Sequence, residues 1–156
     1  MEFRQASFED ELAQHGHFLF WGVGRSMLPL LRAGRDLVLI ERPPVDESGR
    51  TLRCRKYDVV LYKRGERYIL HRVVKVLPDG YVICGDNCWR REYDIGDGQI
   101  LGVMTAFVRD GHETPVTNRG YQRYTRLWCR LYYARVAIML PRDILGRVGR
   151  KLLRAR

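Results

Sequence analysis

Three residues have side chains suited to nucleophilic attack on a carbonyl. Ser26 stands in the run Gly24-Arg25-Ser26-Met27-Leu28-Pro29. A serine hydroxyl is a weak nucleophile until a nearby base takes its proton and donors hold the developing oxyanion. The run suits that role. Gly24 opens backbone conformations closed to other residues, and Pro29 sets the direction of exit. The Ser26 amide is then left to face the carbonyl oxygen under attack. His71, in Ile69-Leu70-His71-Arg72-Val73-Val74, is the candidate base. On period-two alternation it shares a strand face with Ile69 and Val73. A neutral imidazole on an apolar face resists protonation and stays available as a base. Asp86, in Gly85-Asp86-Asn87, is the candidate third member, a carboxylate that fixes the imidazole tautomer and stabilises the imidazolium. Each has a plainer reading: a turn into a sheet, a core or surface histidine, and ordinary Gly-Asp-Asn turn chemistry.

These groups must be carried by strands. Residues 7–15 (SFEDELAQH) read as a short helix, with Ser7 as its cap and Gly16 in the left-handed position that closes it. FLFWGVG, DLVLI (36–40), YDVVLY (57–62), YILHRVVKVL (68–77), YVICG and QILGVMTAFVR (99–109) read as strands. A polar loop spans 42–56, residues 63–66 form a hairpin turn, and Pro78-Asp79-Gly80 turns the chain again. Short strands joined by tight turns predict a mainly β, coiled antiparallel domain with one small N-terminal helix.

Charge divides the chain. Residues 1–118 carry 17 basic and 17 acidic side chains, whereas 119–156 carry 11 basic residues and a single acidic one, Asp143. The expected division is therefore a β domain over 1–118 and a basic helical tail over 119–156. Tyr121, Tyr124, Trp128, Leu131 and Tyr132 recur at helical spacing, with Arg119, Arg123, Arg126 and Arg130 along another face. Pro141 interrupts this helix. A second helix is expected to set Leu145, Val148 and Leu152 opposite Arg147, Arg150, Lys151 and Arg154. Such a tail fits an anionic partner, a lipid surface ahead of nucleic acid, or else a helix packed on the domain. No run reaches the roughly 18 apolar residues of a membrane span. MEFRQASFEDEL has no apolar h-region, so the expected location is the cytoplasm, with peripheral contact at the inner face of the membrane. Cys54, Cys84, Cys88 and Cys129 are then expected as thiols, with no metal and no cofactor.

GRSMLPLLRAGRDLVLI (24–40), KYDVVLYKRGERYILHRVVKVLPDGYVICGDN (56–87) and ILGVMTAFV (100–108) follow one another in an order that resembles the signal peptidase I and LexA-like serine peptidase superfamily. His71-Arg72-Val73 is similar to its histidine-base, endoplasmic-reticulum-type branch, and the expectation is a member lacking that family's N-terminal membrane anchor. The resemblance implies a coiled antiparallel β fold and a serine endopeptidase working through a Ser26/His71 dyad. It also implies a protein or peptide substrate bound as an extended strand. In the histidine branch the acidic partner follows Gly-Asp-Asn, which here falls near Glu92 or Asp94. The third member thus stays open among Asp86, Glu92 and Asp94. The competing expectation is a catalytically inactive peptidase-like module whose tail binds anionic membrane or RNA.

Overall fold

The computed structural model describes residues 8–139. Helix α1 (Phe8–His15) leads into strands β1 (His17–Trp21), β2 (Asp36–Glu41), β3 (Val59–Arg64), β4 (Arg67–Leu77), β5 (Gly80–Cys84), β6 (Glu92–Ile95), β7 (Ile100–Arg109) and β8 (His112–Pro115). Helix α2 (Arg119–Arg130) follows, and residues 132–139 are again helical. The strands form one curled antiparallel half-barrel in the order β1-β2-β7-β3-β4-β5-β6, with β8 on β7. The chain is thus mainly β, as the turn spacing predicts. Strands β6 and β8 go beyond the sequence-based expectation. EYDI and HETP are short and polar, so neither carries the apolar alternation that marks a strand.

The centre of the sheet explains its sequence. Strand β3 has neighbours on both sides and is covered on both faces. Val59 and Leu61 enter one core cluster with Leu12, Val38, Ile40 and Met104. Val60 and Tyr62 enter a second with Val73, Tyr81, Ile83 and Ile95. A strand buried on both faces reads as a continuous apolar run, which VVLY is. The β3–β4 hairpin turns at Gly65-Glu66 and sets Val60 opposite His71 and Val59 opposite Arg72. Because successive strand side chains alternate, His71 and Arg72 leave β4 on opposite faces.

Helix α2 is capped by Asn118, whose side chain accepts from the amides of Gly120 and Tyr121. It packs on the sheet through Tyr121, which joins the first cluster, and through buried Thr125. The boundary at 118/119 therefore separates two kinds of secondary structure that share one core. The outward residues Leu127, Leu131 and Ile138 are exposed, as are Arg119, Arg123, Arg126 and Arg130. The Ser7 cap, the Pro141 break and the second basic helix lie outside the described residues. Among the described residues no helix is long and apolar enough to cross a membrane.

Candidate active site

The Ser26 loop is tied down at both ends. Met27, Leu30 and Leu31 are buried, so the apolar half of SMLPLL anchors it in the core. Gly24 lies at φ +83°, in the left-handed region that a residue with a side chain rarely enters. Downstream, Asp36 is fully buried. It accepts from Arg109 Nε at 2.7 Å and from the Arg32 amide at 2.7 Å, while Arg109 Nη2 donates to the Leu30 carbonyl at 2.7 Å. This ion pair fixes the exit of the loop.

The Gly85-Asp86-Asn87 turn is bound to the same loop. The Asn87 amide donates to the Ser26 carbonyl at 2.7 Å, and Asn87 Nδ2 donates to the Arg25 carbonyl at 3.0 Å. The two motifs are thus one structural unit, although some sixty residues separate them. His71 closes the unit. A Cβ built on Gly85 would lie 2.7 Å from the Ser26 carbonyl oxygen, 2.8 Å from Cys88 Sγ and 2.9 Å from His71 Nε2. Glycine is the residue that lets these three groups converge.

The far side of the imidazole identifies its partner. His71 Nδ1 lies 3.1 Å from Glu92 Oε1. Glu92 also accepts from Tyr62 Oη and from Arg64 Nη1, each at 2.6 Å. Burial pushes the Glu92 carboxyl up, but the bonds from Tyr62, Arg64 and His71 outweigh it and hold the group below its ordinary value. Glu92 is therefore ionised, Nδ1 carries the proton it accepts, and Nε2 is left bare toward Gly85 and the Ser26 loop. Burial lowers the His71 pKa, opposed in part by the Glu92 charge. Burial and the Glu92 carboxylate both raise the Tyr62 phenol, which stays a donor.

The expectation that Asp86 orients the histidine is corrected. Its carboxylate grips Arg72 Nε and Nη2, both at 2.8 Å, and accepts from Tyr124 Oη at 3.0 Å. The reason is the strand pleat, which sends Arg72 and its carboxylate to the α2 side, away from the His71 side. Asp94 is exposed, on β6 at the end of the sheet order. Of the three open candidates, Glu92 faces the imidazole. Tyr62 and Arg64, which hold it, were missed. The hairpin carried the signal for Tyr62: a turn at Gly65-Glu66 places Tyr62 opposite Ile69 and hence diagonal to His71.

Beside the loop lies an apolar pocket of about 280 Å³ lined by Ser26 and, among others, Phe20, Val23, Leu61, Tyr68 and Leu70. Strand β4 pairs with β5 only from Arg72 onward, so among the described strands Arg67–His71 keeps one open edge next to it. No group of three or more His, Cys, Asp or Glu side chains among the described residues is placed to hold a metal. The four cysteines form no disulfide. Compared with known proteins, the chain matches no family model, no curated protein and no solved structure.

Proposed function

We propose that the chain is a serine endopeptidase of the signal peptidase and LexA-like kind. The observation that carries this reading is the convergence of the Ser26 loop and His71 Nε2 at Gly85, with Glu92 on the opposite ring nitrogen. His71 takes the Ser26 proton as the hydroxyl attacks the peptide carbonyl, and the Ser26 amide donates to the oxyanion. The imidazolium, stabilised by Glu92, gives that proton to the leaving amine. Water then hydrolyses the acyl-enzyme with His71 as base. The substrate is an extended peptide laid along the open Arg67–His71 edge, with an apolar side chain in the 280 Å³ pocket.

The test is cleavage of a pooled peptide library read by mass spectrometry. The wild type is expected to cut internal bonds, and Ser26→Ala to lose at least about a thousandfold of that activity with an unchanged Tm. Cleavage that persists in Ser26→Ala, or a wild type that cuts nothing, rejects the proposal.

The outward face of residues 119–139 supports peripheral contact with an anionic membrane. There Leu127, Leu131 and Ile138 stand exposed among arginines. Flotation with phosphatidylglycerol vesicles is expected to weaken in Leu127→Asp, and equal recovery of both proteins counts against it.

A further inference from the structure

Behind the Gly85-Asp86 turn lies a second, smaller cavity of about 210 Å³. Lys56, Arg91, Arg130 and Arg135 line it, from the loop before β3, the approach to β6, the end of α2 and the helix that follows. Among the described residues one carboxylate lines it, Asp86, and that group is already bound bidentately by Arg72. Four cations around a small cavity repel one another, and among the described residues no acid of the cavity is left to offset them.

A second observation is independent of charge. Among the described residues, the only buried side-chain nitrogen or oxygen atoms without a hydrogen-bond partner are Arg91 Nε and Arg135 Nε. Both side chains line this one cavity. An unmet buried donor on a charged group is costly, and native structures retain few of them. The two guanidinium groups are also held in place. Arg91 Cζ sits 3.8 Å from the Tyr132 ring centroid and Arg135 Cζ 4.5 Å from that of Trp128, while Arg135 donates to the Asp86 carbonyl. Planar donors fixed by stacking and left with a free N–H are preorganised for an oxyanion.

We infer that this cavity binds a phosphate group, either as the free ion or as a phosphomonoester. Four cations exceed what one carboxylate would neutralise and suit the charge of a phosphate. The ligand is held by the cations that line the cavity, Lys56, Arg91, Arg130 and Arg135. The site is distinct from the Ser26/His71 centre and shares with it only the Gly85-Asp86 turn.

Thermal melting at constant ionic strength tests this, with chloride as the reference. The probes are inorganic phosphate, water-soluble short-chain phosphatidic acid and its phosphatidylcholine counterpart. Phosphate, phosphatidic acid or both are expected to raise Tm by several degrees, and phosphatidylcholine to leave it unchanged. A response to both identifies a general phosphate site. A response to phosphatidic acid alone identifies a lipid headgroup as the source. Arg130→Gln and Lys56→Gln, both at exposed positions, should lose at least half of the shift. Arg123→Gln, exposed on α2 but off the cavity, should keep it. No shift with either phosphate probe overturns the inference, and so does an equal loss in Arg123→Gln. The readout is binding, so it is independent of whether the protein cuts peptides.

Discussion

Neighbouring residues on β4 each meet a carboxylate, and the two pairs do different work. Arg72 and Asp86 are both buried to within a few per cent, linked by two parallel bonds of 2.8 Å, with Tyr121, Thr125 and Tyr124 around them. Burial acts against the guanidinium charge, but the bonds and charge of Asp86 more than restore it. That pair joins the sheet to α2 and has no spare valence for a substrate. His71 and Glu92 are partly open to solvent, meet through one nitrogen, and leave the other nitrogen toward the Ser26 loop. Alternation along a single strand thus separates a structural ion pair from a pair able to move protons.

The largest effect expected from this contrast is on folding. Asp86→Ala strands a buried guanidinium and should cost about 3–5 kcal/mol of stability, measured by urea denaturation. A variant that stays as stable as the wild type while losing cleavage would return Asp86 to the catalytic group and break the comparison. Glu92→Gln should do the reverse. It removes the charge that stabilises the imidazolium, so kcat should fall by about a hundredfold. Its midpoint in urea should move less than that of Asp86→Ala, because the isosteric amide oxygen still accepts from Tyr62 and Arg64 and no fully buried charge is left unpaired. Tyr62→Phe should be milder. Glu92 keeps Arg64 and His71 as partners, and the loss of one donor should lower kcat by no more than about tenfold.

The same contrast shows what could be read without coordinates. Ser26 and His71 stood out as candidates because each sits in a run with strong local grammar: glycine and proline around the serine, and strand alternation around the histidine. The strands that carry them were legible from apolar period alone. The identity of the acidic partner was not. Asp86 lies in the more conspicuous motif, yet which face a strand presents to a turn depends on the curl of the sheet. Glu92 begins β6, a four-residue polar strand that no periodicity announces. The pair of buried Asp36 with partly exposed Arg109 was invisible for a related reason, since it joins positions 73 apart through strand order. The basic tail was legible as a helix with two faces, with packing on the domain open beside a lipid surface, and the structure sets Tyr121 and Tyr124 of its aromatic face against the core. Nor could the sequence show Arg91 and Arg135 lining the same cavity.

The smallest expected effect is the most discriminating. Burial lowers the His71 pKa below the ordinary imidazole value, and Glu92 pulls it partly back. The free-enzyme acid limb of kcat/KM should therefore have its midpoint below that of an ordinary imidazole, with activity present above it and lost as the imidazole protonates. Glu92→Gln removes an anion that favours the protonated ring, so its acid limb should move to still lower pH even as kcat falls. Most damage to an active site changes rate without that signed displacement. An acid limb that stays in place or moves up in Glu92→Gln would mean that Glu92 only supports the strand it begins. A limb displaced to lower pH in Glu92→Gln and unmoved in Tyr62→Phe would tie the shift to the carboxylate charge itself, because the phenol is neutral throughout that range.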